Sequence, residues 1–212
     1  PPDPPHFPKA SWKKRKVKVL LIVGTDCDTG KMTTAWEITE RLKKRGKNVK
    51  FIATGQTGVM LGGYGVAVDA VVADFMTGEI EYAIDSVGDN VDLIVVEGQG
   101  SLTNMYYAGV TLGLMHGSMP DFMVMTHEPG RELDVADHQM VSIEVVMEMH
   151  LSLMKNFKQS QFLGINLLTL KMTDDLARKE IKDTVEKCAL PTTDLVRFGD
   201  GNLIDRIEQE LP

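Results

Sequence analysis

Short, continuous apolar runs alternate along the chain with stretches in which apolar residues recur at helical spacing. Continuous runs are typical of strands buried on both faces, whereas the recurring spacing is typical of amphipathic helices. The runs predict six strands, at residues 17–23, 49–53, 91–98, 122–126, 162–168 and 192–196. Helical spacing is carried by Ala35, Ile38 and Leu42, by Val68, Val71, Val72 and Phe75, by Met140, Ile143, Met147, Leu151 and Met154, and by Ala177, Ile181, Val185 and Cys188.

This alternation predicts an α/β fold with a mainly parallel sheet and helices on both of its faces. Polar, glycine-containing loops follow several of the predicted strands. The carboxyl ends of parallel strands meet at one edge of a sheet, where ligands bind. We therefore expect residues 24–34, 54–58, 97–103 and 127–131 to line one common cleft.

The composition is that of one globular domain, with 43% hydrophobic and 25% charged residues in 212 positions. The formal net charge of −7 argues against nucleic-acid binding, because a phosphate backbone repels an acidic surface. No apolar run is long enough to cross a bilayer, and no signal-peptide pattern is visible, so we expect no membrane association and a cytoplasmic location. The two cysteines, Cys27 and Cys188, are too few for a disulfide scaffold or a zinc site.

The first residues differ from the rest of the chain. Five prolines lie within residues 1–8, and a basic run follows at Lys9, Lys13, Lys14, Arg15, Lys16 and Lys18. Proline disfavours helices and inner strands, and a charge run is typical of a solvated segment. We expect residues 1–16 to be a linker that follows a missing N-terminal domain, and residues 17–212 to form the folded domain.

A glycine-rich loop between the first strand and the first helix carries the clearest chemical signal. We call residues 24–30 the phosphate loop; Lys31 follows it directly. Such a loop, in a P-loop NTPase-like fold, surrounds a phosphate with backbone N–H groups while the lysine reaches its outer oxygens. The residues predicted to bind the cofactor are Gly24, Asp26, Cys27, Asp28, Thr29, Gly30, Lys31, Met32, Thr33 and Thr34.

Two departures from the usual pattern affect metal binding. Five residues separate Gly24 from Gly30, and Met32 occupies the position of the Ser or Thr that binds Mg²⁺. A thioether is a poor ligand for a hard cation, so Thr33 or Thr34 would have to supply the oxygen. Phosphate binding is thus better supported than ATP hydrolysis. At a helix N-terminus the pKa of the Cys27 thiol could also fall, which would allow an acyl-cysteine, although packing is the favoured interpretation.

Other candidates follow later strands. Glu97 ends an apolar run and could hold Mg²⁺, with Thr33, or act as a general base. His127 and Glu128 could accept a proton from an amine. Gln56, Asp69 and Arg131 are predicted to bind substrate: Arg131 would pair with a carboxylate, and Asp69 with an ammonium, unless Asp69 lies on a solvated helix face.

Two family resemblances rest on these motifs. Gly24-Thr25-Asp26, Gly30-Lys31 and Val96-Glu97-Gly98-Gln99-Gly100 are similar to dethiobiotin synthetase, whose loop has the same extra residue. A closer resemblance covers nearly all of residues 17–200 and is to the P-loop domain of the D-glutamate N-acetyltransferase family. Its motifs here are Gly24-Thr25-Asp26-Cys27, Gly30-Lys31-Met32-Thr33-Thr34, Ala53-Thr54-Gly55-Gln56-Thr57-Gly58, Val66-Ala67-Val68-Asp69-Ala70, Val96-Glu97-Gly98-Gln99-Gly100-Ser101 and His127-Glu128-Pro129-Gly130-Arg131.

The closer resemblance implies acetyl transfer from acetyl-CoA to the amino group of D-glutamate or a related amino acid. It also implies that Met32 belongs to the family pattern and that a Rossmann-like domain of the same protein precedes this one. We further expect a homo-oligomer.

Two other functions remain open from the sequence. One is an ATP- and Mg²⁺-dependent ligase or kinase of the dethiobiotin synthetase type, with Thr33 and Glu97 on the metal. The other is a nucleotide-sensing module without catalysis.

Overall fold

The computed structural model describes residues 5–212, in which six strands form one sheet in the order β2-β3-β1-β4-β5-β6. Every neighbouring pair of strands is parallel. The strands are β1 (Lys18–Gly24), β2 (Val49–Ile52), β3 (Leu93–Val96), β4 (Phe122–His127), β5 (Gln161–Leu167) and β6 (Thr192–Thr193). The predicted parallel α/β fold is confirmed.

Seven α-helices connect or follow these strands in the described residues. They are α1 (Lys31–Lys44), α2 (Gln56–Gly62), α3 (Ala73–Asp85), α4 (Ala108–Ser118), α5 (Ile143–Met154), α6 (Asp174–Cys188) and α7 (Leu203–Glu208). Short 3-10 helices lie at Ser11–Lys13 and Val68–Ala70. None of the helices in residues 5–212 combines the length and apolar character needed to span a bilayer.

The sheet separates two hydrophobic cores, and β1 contributes to both. Val19, Leu21 and Val23 face the core that includes residues of α3, α4 and α5, whereas Leu20 and Ile22 face the core that includes residues of α1 and α7. Each fully buried aliphatic side chain contributes about 1.5–3 kcal/mol to folding. A strand that supplies both cores must be apolar at every position, which explains the continuous run in the sequence.

The loops around β2 differ from the sequence prediction. Residues 56–62 form α2, so the segment predicted as a polar loop is largely helical. The predicted helix through Val68 and Phe75 is wrong in its first half, because Val68–Ala70 is a 3-10 turn and α3 begins only at Ala73. Val72 is 64% exposed, since it precedes the helix and faces away from the core.

The segment before β1 packs on α3. Buried carboxylates of Glu79 and Glu81 accept hydrogen bonds from the backbone N–H groups of His6 and Ser11, each at 2.7 Å. The predicted solvated basic run is wrong at Arg15, whose side chain is 8% exposed. Its Nη1 donates to the carbonyl of Ser118 at the end of α4, at 2.8 Å. The segment is therefore held by specific hydrogen bonds.

His150 in α5 lies in the core of the protein. Its side chain is fully buried, and Nδ1 donates to the carbonyl of Val146 at 2.7 Å. Nε2 has no hydrogen-bond partner among residues 5–212. Burial, only partly offset by the bond to Val146, lowers the pKa of His150 from 6.5 to about 4.

This burial predicts a loss of stability in acid. Between pH 6.5 and 4 the unfolded chain binds a proton at His150 that the folded protein does not, so stability falls as the pH falls through that range. We expect His150→Leu to reduce the fall in Tm between pH 7 and 4, by removing a contribution of about 3 kcal/mol. The control is His138→Leu at an exposed position. If the Tm of His150→Leu depended on pH in the same way as that of the wild type, the expectation would be contradicted.

Candidate functional site

The phosphate loop has the backbone geometry of an anion site. Asp28 and Gly30 adopt left-handed conformations, with φ of 58° and 90°. Within residues 5–212, the N–H groups from Cys27 to Gly30 donate to no protein acceptor. A Cβ atom at Gly24 would lie 2.5 Å from Thr29 Oγ1, so glycine is required for the loop to fold tightly. Free N–H groups in such a concave turn, beside a helix N-terminus, can bind phosphate.

Lys31 supplies a cation to the same loop. Its side chain is buried, and Nζ donates to the carbonyl of Asp26 at 2.5 Å and to Thr29 Oγ1 at 3.4 Å. Burial lowers the pKa of Lys31 from 10.5 to about 8, although the nearby Cys27 and Asp26 oppose this shift. At pH 7 the ammonium is still largely protonated. The loop therefore encloses a cation with a small hydration shell, which favours an anionic ligand.

Asp26 points away from this anion site. Its fully buried carboxylate accepts from Asn104 Nδ2 at 2.8 Å, from Arg131 Nη2 at 2.6 Å and from the N–H of Val135 at 2.8 Å. Arg131 Nη1 also donates to the carbonyl of Cys27, at 2.8 Å. The hydrogen bonds of Asp26 and Arg131 therefore stabilise the phosphate loop. Asn104 and Val135 were not singled out in the sequence, where they look like ordinary loop residues.

A cleft of about 700 Å³ opens beside the phosphate loop. One wall carries Gln56 and Asp69, and another carries Tyr107, Val110 and Val135. Of the residues predicted for the site, the cleft brings together Cys27, Asp28, Lys31, Met32, Gln56, Asp69 and Glu97. The apolar wall was not anticipated.

Glu97 lies at the end of β3 in this cleft, with 3% of its surface exposed. Oε2 accepts from the N–H of Thr54 at 2.9 Å and the N–H of Gly55 at 3.2 Å. Burial raises the pKa of Glu97, while these two backbone donors and Lys31 oppose the shift. A carboxylate with a raised pKa is a better proton acceptor than an ordinary one.

Asp69 is held in position by Gln56, whose Nε2 donates to Oδ2 at 2.9 Å. Among the charged residues that line the cleft, Asp28, Asp69 and Glu97 outnumber Lys31. An excess of carboxylates beside a phosphate site suits a second ligand that carries a cation, such as an amino-acid ammonium.

The predicted common cleft is wrong for residues 127–131. His127 and Arg131 line a second cavity of about 300 Å³. Burial lowers the pKa of His127 to about 4, and its Nδ1 is 2.9 Å from Thr25 Oγ1. Glu128 lines neither cavity and is paired with Lys171 Nζ at 2.6 Å. His127 is thus a weak base, and neither His127 nor Glu128 lines the cleft that contains Lys31.

The two threonines after Met32 have different surroundings. Thr33 is exposed and lies outside the lining of the cleft, whereas the buried Thr34 Oγ1 accepts from Asn166 Nδ2 at 2.9 Å. Residues 5–212 contain no group of three or more His, Cys, Asp or Glu side chains placed to hold a metal. Of the predicted metal ligands Thr33 and Glu97, only Glu97 lines the cleft. The predicted fall in the pKa of Cys27 is also wrong, because burial raises the pKa of its thiol.

Comparison with known proteins places this site in a family. The chain matches DUF1611, described as a domain of unknown function with a P-loop domain, over residues 6–204. A D-glutamate N-acetyltransferase of Tritonibacter scottomollicae is 40% identical over 206 residues, covering 95% of this chain and 61% of that protein. One of Pseudoalteromonas sp is 34% identical over 201 residues, covering 93% and 60%. The chain thus spans about three-fifths of the length of these curated relatives.

Two solved structures are similar to this chain. A DUF1611 family protein from Anabaena variabilis has a TM-score of 0.93 at 34% identity, over 98% of this chain and 62% of that one. Cobyrinic acid a,c-diamide synthase from Mycobacterium smegmatis, crystallised with an ATP analogue and magnesium, has a TM-score of 0.55 at 12% identity, over 82% of this chain and 84% of that one. The second likeness concerns the fold alone. The chain belongs to the DUF1611 family and carries its P-loop domain, and two curated relatives of the chain are named D-glutamate N-acetyltransferase.

Proposed function

We propose that the protein transfers an acetyl group from acetyl-CoA to the amino group of D-glutamate or a related amino acid. The observation that carries the proposal is the cleft, which places the phosphate loop and Lys31 beside Asp69 and Glu97. The names of two relatives, at 40% and 34% identity, support the same reaction. This chain supplies the donor's phosphate site and part of the acceptor site.

The donor binds through its phosphates. CoA carries a diphosphate, which the loop N–H groups and Lys31 would hold. No phosphoryl group is transferred, so the reaction does not need the Mg²⁺ contact that Met32 removes. The apolar wall at Tyr107 and Val135 offers contact to the less polar part of the donor.

The acceptor binds through its ammonium. Asp69, oriented by Gln56, pairs with the ammonium, and Glu97 takes a proton from it to give the nucleophilic amine. The amine nitrogen then forms a bond to the thioester carbonyl carbon, and the C–S bond breaks. After the bond forms, the nitrogen loses a second proton, which the leaving thiolate accepts, and the proton held by Glu97 passes to water, so the cycle closes without a redox step.

Calorimetric titration of the chain with acetyl-CoA and with ATP·Mg²⁺ tests the proposal. We expect acetyl-CoA to bind, and the release of its thiol to require D-glutamate or a related amino acid. If only ATP·Mg²⁺ binds, acetyl transfer should be abandoned. Phosphate release from ATP in the presence of amino acids would then support the ligase or kinase alternative.

The assignment of Asp69 leads to a separate expectation. Asp69→Asn keeps the hydrogen bond with Gln56 possible but removes the charge that pairs with the ammonium. We expect KM for the amino acid to rise about tenfold, the effect of about 1.4 kcal/mol, while acetyl-CoA affinity stays near wild type. The control is Asp74→Asn, an exposed residue outside the cleft lining. An unchanged KM would remove Asp69 from the acceptor site.

A further inference from the structure

One buried carboxylate connects the phosphate loop to two separate segments of the cleft wall. Asp26 Oδ1 accepts from Asn104, which precedes α4, and Asp26 Oδ2 accepts from the N–H of Val135, which precedes α5. The side chain of Asp26 is fully buried and does not itself line the cleft. Asp26 is therefore placed to link a shift of the phosphate loop to the two segments, and not to bind a ligand itself.

Both segments place side chains in the cleft. Asn104 Oδ1 accepts from the N–H of Tyr106 at 2.9 Å and the N–H of Tyr107 at 3.2 Å, so Asn104 fixes the backbone that carries the Tyr107 ring. Tyr107 and Val135 both line the cleft. The two segments, residues 104–107 and 133–137, therefore form an apolar wall whose position depends on Asp26.

Asp26 also contacts the cation that an anion would attract. Its carbonyl accepts from Lys31 Nζ at 2.5 Å and from Thr29 Oγ1 at 3.0 Å. A phosphate in the loop would draw Lys31 Nζ toward its own oxygens and loosen the contact with the Asp26 carbonyl. The peptide and side chain of Asp26 belong to one residue, so a shift of the peptide changes the three hydrogen bonds of the carboxylate.

We infer that Asp26 is a positioning residue that couples occupancy of the phosphate loop to the order of the cleft wall formed by Tyr107 and Val135. Binding of the donor's phosphates would order the wall and so prepare the acceptor site. The inference rests on the proposed function only for the identities of donor and acceptor. The coupling itself requires a phosphate-bearing ligand and the contacts of Asp26.

Hydrogen exchange with inorganic diphosphate as the probe tests the coupling. We expect backbone amides in both segments, residues 104–107 and 133–137, to exchange about fivefold more slowly in saturating diphosphate, a typical lower value for coupling between sites. Calorimetry with the same probe establishes saturation for each variant. The measured quantity is the ratio of exchange rates without and with diphosphate, which a purely structural role of Asp26 would leave unchanged.

Two variants break the connections one at a time. Val135 occupies the second position of a turn closed by a hydrogen bond from Asp137 N to the carbonyl of Asp134, and proline is favoured at that position. Val135→Pro thus removes the N–H that donates to Asp26 and keeps an apolar side chain. It should abolish slowing in residues 133–137 alone. Asn104→Ala should abolish slowing in residues 104–107 alone.

Two matched controls keep the hydrogen bonds from Asn104 and Val135 to Asp26. Val135→Ala retains the N–H, and Thr103→Ala changes a neighbour of Asn104 that has no hydrogen bond with Asp26. Both should show slowing in both segments. The inference is overturned if diphosphate does not bind, if it binds without slowing exchange, or if Val135→Pro and Asn104→Ala behave like their controls. If diphosphate slows exchange as expected but acetyl-CoA does not bind, the proposed function fails and the coupling stands.

Discussion

Glu97→Gln is expected to lower kcat by about 100- to 10,000-fold, the usual contribution of general base catalysis. The amide has the shape of the carboxylate, and its oxygen can still accept from the N–H groups of Thr54 and Gly55. It cannot take a proton from the acceptor ammonium. In the wild type, activity should fall as the pH drops through the raised pKa of Glu97, because the protonated form is inactive. The variant should lack this acid limb.

Steady-state kinetics against pH, with acetyl-CoA titrations of both proteins, check this expectation. Acetyl-CoA affinity should stay near wild type in Glu97→Gln, since Glu97 is not assigned to phosphate binding. His127→Gln is the comparison, because His127 lies in the second cavity and is neutral at physiological pH. If the loss of kcat appeared in His127→Gln and not in Glu97→Gln, the assignment of the base would be reversed.

Lys31→Met is expected to weaken acetyl-CoA binding about 100-fold. Removing hydrogen bonds from a cation to phosphate costs about 3 kcal/mol, and each 1.4 kcal/mol is a factor of ten. Methionine keeps the aliphatic stem in its buried position, and the carbonyl of Asp26 still accepts from Thr29 Oγ1. The folded protein also no longer has to bury an ammonium, so we expect no fall in Tm.

Calorimetry and thermal unfolding measure the two quantities on one sample. Lys44→Met, at an exposed position near the end of α1, is the control for charge removal and should bind like the wild type. Equal acetyl-CoA affinity in the Lys31 and Lys44 variants would refute a phosphate contact by Lys31. A fall in Tm confined to Lys31→Met would mean that its contact with Asp26 is needed for folding.

Sequence reasoning succeeded where local pattern determines structure. Most strands could be located by their apolar runs, such as residues 19–23 in β1 and 93–96 in β3, and the phosphate loop could be located because glycine, lysine and the preceding strand follow one another in the chain. The strands and the phosphate loop require no knowledge of distant contacts. The short helix α7, in which Leu203, Ile204 and Ile207 are buried, was not predicted.

The candidate site was harder to predict because it depends on strand order. β3 and β4 flank β1 on opposite sides, so Glu97 and His127 follow strands that are not adjacent. Both lie at the carboxyl edge, as expected, but the phosphate loop separates them. The burial of His150 and Arg15 likewise depends on partners distant in sequence. Helical spacing and charge runs describe a segment alone and cannot reveal such partners.

Because β1 lies between β3 and β4, the two sides of the phosphate loop have different surroundings. On the side of β3, the cleft presents Gln56 and Asp69 on exposed segments, whereas on the side of β4 the buried ties to Asp26 support the loop. If the acceptor binds as proposed, substitution on the first side would change acceptor preference, while the second side would preserve the anion site. Under the proposed function, this layout makes the β3 side the target for redesign of acceptor preference.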